Sequence, residues 1–265
     1  MVVVVTADPK GYASLLALAS KGAQRGWALS VCVEAREAGG SFHSTLQPRR
    51  EGRIVGPAAD PVRAADEAAR RARSKVRKYC AANHLNRLGT LTYQGAGCHD
   101  PMVLRRDVAS FFRALRSLLD GRRPLPYIWV PEWHPGGHGL HVHFAVGRYI
   151  RRSVIEVAWP HGFVHIKLLG DLPVGSGAVA EARAAAGYLA KYVGKAFHTA
   201  RIAGLHRYEV AEGFQPEITV VWGTSQHEAI AKASALIGAE PSVLWFSDEV
   251  ALWHGPPALW VQWPG

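Results

Sequence analysis

The chain is poor in cysteine: 265 residues hold three, Cys32, Cys80 and Cys98. They are odd in number, widely spaced and form no CxxC, which argues against both a disulfide framework and a thiolate zinc site and fits a reducing compartment. Long apolar runs are missing too. None approaches the roughly 20 residues a membrane-spanning helix needs, so no membrane role is expected. The opening MVVVVTADPKGY has no basic stretch before its apolar run and does not read as a signal peptide, so a cytoplasmic protein is expected. The phosphate-loop pattern GxxxxGK[ST] is absent, because VGKAF at 193–197 lacks the upstream glycine. No internal repeat occurs. Acidic residues are the minority, 21 against 31 lysines and arginines, for a net charge of +10. That balance favours a polyanionic partner, nucleic acid first.

What is present suffices for a packed fold, since 48% of the residues are apolar. Residues 1–62 read as an accessory region and linker, with short apolar pieces (GYASLLALAS, GWALSVCVEA) interrupted by QPRREGRIVGPAADP. From residue 63 the pattern sharpens. Residues 64–82 carry Ala65, Ala68, Ala69, Ala72, Val76, Tyr79 and Cys80 at helical steps, with Arg70, Arg71, Arg73, Lys75, Arg77 and Lys78 on the other face. RLGTLTYQ (87–94) is a predicted strand. Asp100 caps a helix beginning at Pro101 and running to Asp120. YIWVPEW (127–133) and LHVHFAVGRYI (140–150) are strands around an HPGGHG turn. A short helix at 152–159, the strand FVHIKLL (163–169), a GDLPVGSG loop and an alanine-rich helix from 178 to about 197 follow. The order β-α-β-β-α-β, with one more helix, predicts an α+β domain of ferredoxin/RRM-like type over 63–215, an antiparallel sheet with helices on one face. Residues 216–265, with EITVVWG, a helix near 225–237 and short tryptophan-bearing strands, read as a C-terminal extension.

Two stretches carry chemistry. In LHVHFAV, side chains alternate faces, so His141 and His143 project together, about 7 Å apart at their origins, while Val142 points into the other layer. Two neutral imidazoles so placed converge on one metal ion, and a carboxylate with water suits a harder one. Glu132, on the partner strand, is the natural third ligand; His134 and His138 compete from the turn, which fixes a ligand less well than a strand does. Taken alone, two histidines two apart also describe an ordinary half-buried sheet face. In GYLAKYVGKAF (187–197), Tyr188 and Tyr192 stand one helical turn apart, with Lys191 and Lys195 on the adjacent stripe. Alone, this is a core helix with solvated lysines. A tyrosine, with its pKa near 10, is a poor nucleophile at neutral pH unless a metal polarises its phosphodiester target and a lysine steadies the charge. Each stretch supplies what the other lacks.

Together these residues resemble the HUH endonucleases, specifically rolling-circle replication initiators (Rep proteins) of the two-tyrosine type. LGTLTY (88–93) is similar to the first motif, PEWHPGGHGLHVHFAV (131–146) to the second, and YLAKYVGK (188–195) to the third, in the order Rep proteins use. The resemblance spans roughly residues 66–215 and extends to initiators of actinobacterial plasmids, integrated elements and small single-stranded DNA phages. It implies Mg²⁺ or Mn²⁺ at His141, His143 and Glu132, and Tyr188 as first nucleophile, giving a 5′-phosphotyrosine link and a free 3′ hydroxyl. It further implies Tyr192 as second nucleophile, and Lys191 and Lys195 as stabilisers of the phosphate or metal site. The implied partner is single-stranded DNA at a replication origin, with a host helicase to open the duplex. Two alternatives remain open at this point: a two-tyrosine HUH transposase, and a non-catalytic RRM-like nucleic-acid-binding domain.

Overall fold

The computed structural model describes residues 25–44, 60–119, 121, 123–167, 177–198, 202–251, 253 and 255–265. The apolar pieces within 1–24, most of the linker, the last residue of the helix expected to reach 120 and most of the GDLPVGSG loop lie outside the described residues. The chain divides into two compact units.

The first unit holds strands from both ends of the chain. β1 (Gly26–Cys32) and β2 (Glu37–His43) form an antiparallel hairpin. After the second unit come β8 (Thr219–Gly223), α5 (Gln226–Ile237), β9 (Val243–Phe246) and β10 (Ala258–Gln262). Their sheet runs β8-β1-β2-β10-β9. Trp27 thus lies opposite Gly223, a pairing across nearly the whole chain that no local pattern announces. α5 starts at a capping box, in which Ser225 accepts the Glu228 N–H and the Glu228 carboxylate accepts the N–H of Thr224. Gly238, with φ 72°, ends it. Ala229, Ala233 and Ile237 join Trp27, Leu29, Val31, Val261 and Trp263 in this unit's core.

The second unit carries the predicted order. α1 (Pro61–Ala82) precedes β3 (Arg87–Tyr93); α2 (Pro101–Leu118) leads to β4 (Tyr127–Trp133) and β5 (Leu140–Val146). Then follow α3 (Arg152–Ala158), β6 (Gly162–Lys167), α4 (Gly177–His198) and the short β7 (Glu209–Val210). α1 begins three residues earlier than expected because Asp60 and Pro61 repeat the cap signature of Asp100 and Pro101, each aspartate accepting a first-turn N–H. β5 stops at Val146 because its neighbour β3 begins opposite it, at Arg87. The sheet order is β6-β3-β5-β4-β7, antiparallel throughout. Its first four members have the fourth-first-third-second arrangement of the ferredoxin-like unit.

Alternation splits the sheet into two faces. Leu91, Trp129, Val142 and Phe144 meet Leu104, Phe111, Phe112 and Leu115 of α2 and Ile155 of α3, so the two crossover helices share one face as expected. Phe112 stacks on Tyr127 with centroids 3.6 Å apart. Gly89 makes room here, since a Cβ on it would lie 2.4 Å from the Phe144 ring. The opposite face carries Leu88, Ile128, Val130 and Ala145, and α1 and α4 cover it with Val76, Tyr79, Leu189 and Val193. The flanking helices thus close the second face. Lys78, predicted on a solvated stripe, is buried. Among the described residues no helix is long and apolar enough to cross a membrane.

Candidate active site

The candidate site lies on the face that α4 covers. β5 is the middle strand and every one of its residues is buried. Its even residues, Leu140 to Val146, fill the core on the α2 side, which obliges His141 and His143 to face α4. Glu132 on β4 is directly opposite His141, and His143 is directly opposite both Val130 and Thr90. The β4–β5 turn is held by His134 N–H donating to the Gly139 carbonyl at 2.8 Å and Gly137 N–H to the His134 carbonyl at 2.9 Å. Gly139 needs to be glycine. Its φ is 80°, and a Cβ there would lie 2.3 Å from the Cys98 carbonyl oxygen.

Three ligand atoms converge. The Nε2 atoms of His141 and His143 are 3.1 Å apart, and the same Glu132 carboxylate oxygen is 3.3 Å from the first and 3.1 Å from the second. Octahedral bonds of ~2.1 Å place adjacent ligands ~3.0 Å apart, and tetrahedral bonds of that length ~3.4 Å apart. The three separations therefore fit one shared cation. Lone pairs so arranged repel one another unless a proton or a cation lies among them. Burial, then the neighbouring His143, pushes His141 down to about 4. His143 is lowered as well, again chiefly by burial, with Glu132 opposing. Both imidazoles are thus neutral near pH 7, the form that ligates metal. Burial works to raise the Glu132 carboxyl, but the hydrogen bonds from Lys195 and His143 outweigh it, and the group sits below the ordinary glutamate value.

α4 brings the phenols to this cluster. The Tyr192 ring stacks on His143 with centroids 3.8 Å apart, and its hydroxyl donates to that of Tyr188 at 2.7 Å. Burial and this donated hydrogen bond push the Tyr192 hydroxyl above its ordinary value. Lys195 donates to the second Glu132 oxygen at 2.7 Å. Lys191 is exposed and, among the described residues, joins neither the carboxylate nor the histidines. Helix geometry explains the difference: at ~100° per residue, Lys195 falls within ~20° of the Tyr188 direction and Lys191 ~60° from it. His134 and His138 are engaged elsewhere. His134 Nδ1 accepts the Gly136 N–H, and His138 contacts the Tyr93 carbonyl at 3.1 Å.

Two neighbours carried no sequence signal. Thr90 places its hydroxyl 3.1 Å from His143 Nδ1, while the Nδ1 of His141 is buried without a hydrogen-bond partner. Lys167, on the edge strand β6, holds its ammonium 3.9 Å from the centroid of the Tyr188 ring. Of the aromatics available for base stacking, Tyr93, Trp129 and Phe144 are core residues, and Trp133 is 44% exposed.

Fold and site together define an α+β domain compatible with the HUH-like fold, with a histidine–glutamate cluster facing a two-tyrosine helix. Residues 86–197 match the family model of the ORF2 type of replication-associated protein, consistent with a rolling-circle replication initiator. The matched segment runs from just before β3 to the last turn of α4 and includes all seven residues singled out for the site. No curated protein and no solved structure matches the chain significantly.

Proposed function

We propose that this chain initiates rolling-circle replication by nicking and rejoining single-stranded origin DNA through tyrosine attack. The observation that carries the reading is the convergence of Glu132, His141 and His143 beneath the paired phenols of Tyr188 and Tyr192. Glu132, His141 and His143 would hold Mg²⁺ or Mn²⁺, which when bound supplies Lewis-acid polarisation of the scissile phosphate.

The chain's own groups account for the rest. The Tyr188 oxygen loses its proton and bonds to phosphorus as the P–O3′ bond breaks. The 3′ oxygen leaves and takes up a proton, and the phosphate stays on the tyrosine as a 5′-phosphotyrosine. Tyr188 goes first in this scheme because its oxygen accepts the Tyr192 hydrogen bond and its ring faces the Lys167 ammonium, so developing negative charge is stabilised there. Tyr192 keeps its proton until the second transfer. Lys195 anchors Glu132 and adds positive charge beside the phosphate. The covalent link keeps the energy of the broken phosphodiester for rejoining. With no phosphate loop in the sequence, duplex opening falls to a host helicase or to an origin already extruded as single strand.

The test is denaturant-stable adduct formation between the full chain and origin-derived single strands in Mn²⁺. Tyr188→Phe should remove the adduct of the first cleavage, and the Tyr188→Phe, Tyr192→Phe pair should remove every adduct. An undiminished adduct in the double variant refutes the nucleophile assignment, and full cleavage in EDTA refutes the metal role.

A further inference from the structure

Beside the site, β4, α4 and the segment 202–208 enclose a cavity of about 190 Å³. One end is walled by Glu132 and Tyr192 of the site itself. The sides carry Trp133, Lys195, His206 and Arg207, over a floor that includes Pro131 and Leu205. A more open cavity of about 430 Å³ continues from it. The two share His206 and Arg207, and the second adds Phe197 and Tyr208. The Arg207 guanidinium stacks 4.3 Å from the centroid of Phe197.

We infer that this continuous groove binds single-stranded DNA next to the scissile phosphate, with one base stacked on Trp133 and the following backbone carried past Arg207 toward Tyr208. The inference rests on the proposed function for its choice of ligand. Three features carry it. Flat aromatic faces alternate with cationic side chains along one path, which is how non-paired strands are held without base pairing. The inner cavity is below the ~300–1,000 Å³ typical of pockets for drug-sized ligands and suits a single planar ring. The outer wall is also fixed in place. Leu205 is buried in the core, its N–H donates to the Ile202 carbonyl at 3.2 Å, and β7 pairs Glu209 and Val210 with Trp129 and Ile128 of β4.

The wall residues 202–208 lie beyond the matched family segment, which ends at residue 197. The chemistry-bearing residues thus fall inside the family match, and much of the groove falls outside it. The geometry therefore assigns the groove to strand placement, and with it to preference for the bases beside the nick.

The experiment measures binding of a fluorescein-labelled (dT)15 strand to the full chain in EDTA, where no cleavage occurs. Trp133→Ala and Arg207→Ala should each weaken binding at least about fivefold, the low end for loss of one stacked base. Arg207→Ala should also flatten the salt dependence. Tyr149→Ala, which removes a ring 74% exposed elsewhere on this unit, should leave the affinity unchanged. A strand carrying 5-iodouracil should photocross-link to Trp133, Phe197 or Tyr208. Equal affinities for all variants, or cross-links confined to other surfaces, overturn the inference. Because binding in EDTA needs neither metal nor phenol chemistry, adduct failure with the Trp133 effect intact refutes the nicking reading alone. Normal adducts with no Trp133 effect refute the groove alone.

Discussion

Thr90→Val is the sharpest probe of the metal cluster, because it touches no ligand. The hydroxyl of Thr90 lies 3.1 Å from His143 Nδ1. For His143 Nε2 to present a lone pair to a cation, Nδ1 must carry the proton, and Thr90 is then the acceptor that fixes this tautomer and the ring's rotation. Valine keeps the branched shape that suits β3 and removes that acceptor. A net hydrogen bond is worth ~1 kcal/mol, or about fivefold in affinity, and outer partners of metal-bound histidines typically contribute ~10–100-fold. Mn²⁺ affinity, read by titration calorimetry on the full chain, should therefore fall between about fivefold and 100-fold. The thermal midpoint without metal should move by only a few degrees, since ~1 kcal/mol shifts a domain of this size by about 2–4 °C. An unchanged Mn²⁺ affinity would refute the reasoning that Thr90 orients the ligand.

Mn²⁺ at one hundred times its dissociation constant should stabilise the chain by ~2.7 kcal/mol, seen as a raised thermal midpoint, and His141→Ala or His143→Ala should abolish that rise. Lys195→Ala should slow adduct formation by about tenfold or more while changing stability by less than ~1 kcal/mol, because its ion pair with Glu132 is largely exposed on the lysine side. Lys191→Ala should slow it much less, and equal effects would count against the helix-face assignment. Gly89→Ala should destabilise by ~1–3 kcal/mol in denaturant titrations, since the new methyl must displace the buried Phe144 ring.

The site was legible where one periodicity governs it. Strand alternation alone put His141 and His143 on one face, hairpin pairing put Glu132 opposite them, and helical spacing put Tyr188 and Tyr192 together. Thr90 and Lys167 were invisible because each is an ordinary strand residue until β3 and β6 are set beside β5 and α4. The covering of the second face by α1 and α4 was likewise hidden. Their alanine-rich stripes announce that something will be buried but not against which layer. The first unit's sheet was the least legible, since pairing β1 with β8 depends on contacts nearly two hundred residues apart.

β5 has a consequence for how this protein can fail. Its seven residues serve two layers at once, the even ones packing the core and the odd ones holding the histidines. Inserting or deleting a single residue within it would reverse both assignments together, driving imidazoles into the apolar layer and Val142 and Phe144 toward α4. Such a chain would not persist as a stable, inactive decoy; it would fail to fold. Correct register in this one strand therefore guarantees that folded copies carry the cluster, and loss of the cluster in a folded copy has to come by substitution.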